Sequence, residues 1–111
     1  MQREVKKYLF DILSCIENIE NFIGIPKLFL EFNKNIMLQQ AIERNLEIIG
    51  EAMNNILKIF PAINITSGRR MVDTRNKIIH GYDDIQAEQI WSIIINHLPT
   101  LKLEVQTLLE N

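Results

Sequence analysis

The amino-acid sequence predicts an all-α fold: an up-and-down bundle of four to five helices forming one domain over residues 1–111. Two observations predict it. Apolar residues recur at i, i+3 and i+4 along most of the chain, and no segment alternates well enough to be a strand. Glycines, prolines and short polar runs fall between the periodic stretches, where helices must stop.

Each element follows in order. Val5, Tyr8, Leu9, Ile12, Ile16, Ile19 and Ile23 form one stripe, so a first helix should run to Gly24 and Pro26. Residues 27–33 should form a short turn of helix. A long second helix is predicted from about Asn35 to Phe60, with Leu38, Ile42, Leu46, Ile49, Met53, Ile56 and Phe60 on one face. The connection PAINITSG holds turn formers, and Thr66 or Ser67 can cap a third helix over 67–80 that Gly81 ends. A fourth should start near Asp84 to Gln86. Its IWSIII run is apolar on nearly every side, which predicts a sandwiched helix. Pro99 should kink or restart it before LKLEVQTLLE.

Composition narrows the function. Hydrophobic residues make up 47% of the chain and aromatics 7%, an aliphatic balance that suits helix packing and leaves apolar surface for a second subunit. The net charge of −2 is unlike that of a general nucleic-acid binder. Positive charge is instead local: Arg69, Arg70, Arg75 and Lys77 stand against Asp73 within residues 69–82. Cys15, the single cysteine, excludes an internal disulfide and falls on the first helix's apolar stripe, where an inert buried thiol is expected. Charges at Arg3, Glu4, Lys6, Lys7 and Asp11 do not fit a signal peptide, and no apolar run reaches the ~20 residues of a membrane span. A cytoplasmic protein without a membrane partner is expected. One cysteine and two histidines make no zinc site, and no glycine-rich phosphate loop is present, so neither metal nor cofactor is predicted.

The segment RNKIIHGY, residues 75–82, carries the chemistry. At about 100° per residue, with Met71 set at 0°, Val72, Ile78 and Ile79 bracket a stripe centred near 40°, where Arg75 itself falls. An unpaired guanidinium there is costly to bury. Either a carboxylate meets it, or it snorkels to water, or the stripe lines a cleft or subunit boundary. Asn76 and His80 share a different face with Arg69 and Asp73, and Tyr82 follows the Gly81 break. Arg75 and His80 lie about 140° apart on an ideal helix. Arg75 could reach round, His80 could leave helical phase at Gly81, or two subunits could each supply part of a site.

Other candidates are weighed against packing roles. Gly50 should permit close helix approach. Arg44, Glu47 and Glu51 read as a solvated charge ladder, the alternative being that Glu51 holds Arg75. His97 reads as a helix-end residue, and Trp91 as core.

RNKIIHGY fits the R-polar-x3-H motif of the HEPN superfamily of helical ribonucleases, with tyrosine two residues after histidine. Together with RNLEIIGEA at 44–52 and IWSIIINHLP at 90–99, VDTRNKIIHGYD at 72–83 resembles the HepT-like toxin family from about residue 8 to 108. The resemblance implies a HEPN-like bundle that dimerises through the motif helix, and a metal-independent endoribonuclease toxin. Arg75 and His80 would be the catalytic pair and Asn76 the polar motif position. Tyr82 would accept AMP from a cognate minimal nucleotidyltransferase, the antitoxin of a type VII-like module. Beside these, the local positive charge makes Arg69, Arg70 and Lys77 candidates to support substrate binding, as does Glu51 if it holds Arg75. Many relatives carry a Pro-Trp pair before the motif helix, where this chain has PAINITSGRR.

The residue types suit that chemistry. RNA carries its own nucleophile, the 2′-hydroxyl. Histidine titrates near neutrality and can move protons, and arginine stays charged and grips two phosphate oxygens at once. The expected products are a 2′,3′-cyclic phosphate and a 5′-hydroxyl. The alternative is a non-catalytic subunit that binds nucleotide or docks on a nucleotidyltransferase, which the acidic net charge favours.

Overall fold

In the computed structural model, which describes residues 1–81 and 85–111, six α-helices follow one another: α1 Arg3–Ile23, α2 Phe29–Lys34, α3 Ile36–Ile59, α4 Gly68–His80, α5 Ala87–Asn96 and α6 Leu98–Glu110. No strand occurs among the described residues. The count exceeds four to five for two local reasons. The short turn expected at 27–33 is a helix in its own right, fixed by Phe32, which is buried against the ring of Trp91. Pro99 sits in the first turn of α6, where its missing N–H costs nothing, so the chain restarts after His97.

α3 is the centre of the packing. Its Ile42, Leu46, Ile49, Met53 and Ile56 are fully buried, and α1 and α4 lie against it. α1 contributes Val5, Leu9, Ile12, Ile16 and Ile19, and α6 covers the other side of α1 with Leu101 and Val105. The molecule measures 41 × 32 × 18 Å, so its thin dimension holds about two helix diameters. Cys15 is buried in this core, and burial, followed by the nearby Asp11 charge, pushes its thiol pKa up. The buried amide of Asn45 is satisfied, donating to the Ala41 carbonyl at 2.9 Å and accepting from Asn18 at 3.2 Å.

The helix ends and the burial of the helices follow the sequence with two exceptions. Asn35 caps α3 by accepting the Leu38 N–H, and Gly81 ends α4 in the left-handed conformation at φ 61°. The capping role expected of Thr66 or Ser67 is not filled. Thr66 donates both its N–H and its hydroxyl to the Glu104 carboxylate of α6, the hydroxyl at 2.7 Å. Ser67 occupies the cap position without a side-chain bond, and its buried hydroxyl has no partner among the described residues. Glu104 thus ties PAINITSG to α6. The second exception is α5, which is not sandwiched: Ile90, Ile93 and Ile94 are buried, but Ile95 is 39% exposed and Trp91 is only partly covered. α5 starts at Ala87 behind a Gln86–Gln89 capping box. No helix among the described residues is long and apolar enough to cross a membrane.

Candidate functional site

The arginine in the apolar stripe is made possible by a glycine on the facing helix. α4 crosses α3 at Gly50, where an added Cβ would lie 2.2 Å from the Arg75 Cβ and 2.7 Å from the Met71 carbonyl oxygen. Only a residue without a side chain permits that approach. The Arg75 stem therefore lies over Gly50, and its head leaves the stripe sideways. Nη2 donates to Glu51 at 2.5 Å and Nη1 to the Asn76 side-chain oxygen at 3.0 Å. The Arg75 side chain is 25% exposed and that of Glu51 55%, so the pair stands at the surface. A cleft of about 400 Å³ opens there, walled by Arg44, Glu47, Ile48, Glu51, Arg75 and Ile79.

This geometry resolves two of the sequence alternatives. Arg75 has a carboxylate partner and lines a cleft, so both conditions for placing a cation in the stripe are met. The charge-ladder reading holds for Arg44 and Glu47, which pair at 3.0 Å, and fails for Glu51, which turns to α4. The reason is the closeness of the crossing: Glu51 follows Gly50 directly, beside the Arg75 stem.

His80 is the last helical residue of α4 and is exposed. It keeps helical phase, which removes the option that Gly81 swings it out of register. It stays about 140° round the helix from Arg75 and is not a wall of the Arg75 cleft. Asn76 bridges part of that gap, because it binds the guanidinium and lies one turn before His80 on the same face. Tyr82 lies outside the described residues.

Arg69, Arg70 and Lys77 do not surround Arg75. They line a larger groove, about 700 Å³, between the far face of α4 and α5, together with Asp73, Glu88 and His97. Among the described residues, none of these three cations makes an ion pair or side-chain hydrogen bond. His97, at the α5–α6 junction, has its pKa lowered by burial and then by the nearby Arg70 charge. Sequence reasoning gave His97 only a helix-end role. The groove depends on how α5 returns to α4, and periodicity within one helix carries no signal of that. No group of His, Cys, Asp and Glu among the described residues is placed to hold a metal ion.

A helical bundle with Arg, a polar residue and His in this spacing on one crossing helix defines a domain of the HEPN class. Residues 12–108 match the family model described as "Ribonuclease HepT-like", and the chain belongs to this HepT-like ribonuclease family. Among relatives, "Probable ribonuclease HepT" of Thermococcus cleftensis is 37% identical over 92% of this chain and 93% of its own. Two Methanocaldococcus jannaschii proteins, each named "Putative RNase", are 35% and 32% identical. They align with 95% and 99% of this chain and with 96% and 91% of their own. No solved structure matches the chain significantly.

Proposed function

We propose that this protein is a metal-independent endoribonuclease, the toxin of a type VII-like module, acting as a homodimer. Arg75 and His80 are its catalytic residues. The observation that carries the reading is the position of the Arg75 guanidinium, held at the mouth of an open cleft and not sealed in the core. A guanidinium has five N–H donors. Glu51 and Asn76 each engage one nitrogen and fix the plane of the group, leaving further N–H donors for a phosphodiester.

The chemistry follows from these groups. A base removes the proton of the ribose 2′-hydroxyl, whose oxygen attacks the adjacent phosphorus. The P–O5′ bond breaks, and the leaving 5′-oxygen takes a proton from an acid. The products are a 2′,3′-cyclic phosphate and a 5′-hydroxyl. Histidine can serve at either proton step, worth about 10²–10⁴-fold in rate. Arg75 stabilises the charge that develops on the phosphorane oxygens. One chain offers a single histidine of this kind, held away from Arg75 by helical phase. A two-fold pairing of α4 helices would bring a second motif to the cleft, and Ile79, 44% exposed at its wall, gives such a pairing an apolar contact. Glu51 is a positioning residue in this scheme.

Neutralisation falls to a partner nucleotidyltransferase that transfers AMP from ATP to the Tyr82 oxygen: the phenol loses its proton, its oxygen bonds to the α-phosphorus, and pyrophosphate leaves. The added phosphate would bring negative charge close to the motif cations and occupy the groups that RNA requires. The reading is tested by incubating the purified protein with RNA in EDTA and analysing the ends. Cyclic-phosphate and 5′-hydroxyl termini are expected. Nucleotide binding without cleavage would assign a non-catalytic subunit of a nucleotidyltransferase complex instead.

A further inference from the structure

The 700 Å³ groove between α4 and α5 has a composition that the Arg75 cleft lacks. Arg69 and Lys77 stand eight residues apart on α4, about 12 Å along its axis, with Arg70 between them. Among the described residues all three are unpaired cations, on a chain whose net charge is −2. Lys7, Arg44, Arg75 and Lys102 each have a carboxylate partner, and other cations without one, such as Lys27 and Lys34, stand singly in their clefts and do not gather three to a concavity. Three such cations around one concavity point to an anion from outside the chain. The volume is that of a site for a small organic ligand. Ile85 and Ile93 supply apolar wall, and Asp73 and Glu88 can accept hydrogen bonds from sugar hydroxyls. Phosphate, sugar and base each have a complementary surface.

The groove is also continuous with the motif. Lys77 is three residues before His80, one helical turn away, so the exposed face of α4 leads from Asn76 and His80 to the groove. A strand crossing that face would reach both.

We propose that the α4–α5 groove binds the nucleotide flanking the cut in a single-stranded RNA, with Arg69, Arg70 and Lys77 on its phosphate backbone. The choice of RNA rests on the proposed ribonuclease reading, and the groove gives that enzyme a preference for strands long enough to span both sites.

The test uses a 2′-O-methyl RNA oligonucleotide, which keeps every phosphate and cannot be cut. Its affinity is measured by fluorescence anisotropy over a salt series for the wild type, Arg69→Gln/Lys77→Gln and a charge-matched control, Lys6→Gln/Lys7→Gln on α1. All four positions are solvent-accessible, and far-ultraviolet circular dichroism checks folding. The groove variant should bind about tenfold more weakly for each cation neutralised. The slope of log K against log salt should shrink by about 1.4. The control should change little. Equal losses in both variants would reduce the effect to overall charge and overturn the proposal. So would AMP binding as tightly as the oligonucleotide, which assigns a free-nucleotide site. Cleavage is scored separately: groove-dependent binding by a protein that does not cut RNA would sink the catalytic reading alone. An active nuclease whose groove variant binds normally would sink the groove alone.

Discussion

Replacing Gly50 by alanine tests the close crossing on which the site's geometry rests. The new methyl carbon would lie 2.2 Å from the Arg75 Cβ and 2.7 Å from the Met71 carbonyl oxygen. Neither is the free end of a flexible chain. Ordinary carbon contacts need about 3.5–4.0 Å, so the crossing must open by about 1.5 Å. Overpacking of this kind costs about 1–3 kcal/mol. The better helix propensity of alanine returns up to about 1 kcal/mol. A net loss of about 1–2 kcal/mol should lower Tm by roughly 4–10 °C in a domain of this size. Moving the Arg75 stem by that distance should also lower RNA cleavage by about 10²-fold. Thermal unfolding by circular dichroism and a fluorogenic RNA assay would measure the two effects. Gly68→Ala is the internal control, because its Cβ would meet only the Met53 side chain, with the terminal methyl nearest at 3.2 Å and no backbone atom in the way. Unchanged stability and cleavage in Gly50→Ala would refute the close crossing and its role in placing Arg75.

Three further outcomes are expected. Cys15 should resist a thiol reagent in the folded protein and react on denaturation, since burial both shields the sulfur and raises its pKa; fast labelling under native conditions would contradict this. His97 has a lowered pKa, so it binds fewer protons folded than unfolded. Its neutral form is fully accommodated above the unfolded value of 6.5, and stability should be lost as pH falls from there through the depressed folded value. Arg70→Ala removes the smaller of the two causes, so NMR titration should show the His97 pKa rising without a full return to 6.5. Tyr82→Phe should keep RNA cleavage near normal and abolish AMP acceptance from the partner enzyme; lost cleavage in a folded variant would assign the phenol to catalysis.

Much of the fold was legible because each long helix buries a single stripe. The spacing of Val5 to Ile23 and of Leu38 to Ile56 left one face to bury, and Gly24 and Gly81 marked helix ends through a positive φ. The misplacement of Arg75 within an apolar stripe was likewise visible in sequence, and it called for a carboxylate, water or a cleft at that point of the stripe. Its partner was ambiguous, since Glu51 is 24 residues away and equally suited to a ladder on its own helix. Thr66 is bound by a carboxylate 38 residues distant, which a local capping rule cannot anticipate. The separation of Arg69, Arg70 and Lys77 from Arg75 follows from their angles on α4. What they face depends on where α5 packs, and that is tertiary information.

The most direct measurement compares RNA cleavage, in EDTA, by wild type, Arg75→Ala and His80→Ala, with folding verified in each. Both positions reach solvent, so the variants should stay folded while cyclic-phosphate products disappear. Undiminished cleavage by either folded variant would contradict the assignment of that residue, and undiminished cleavage by both would remove the catalytic site from α4.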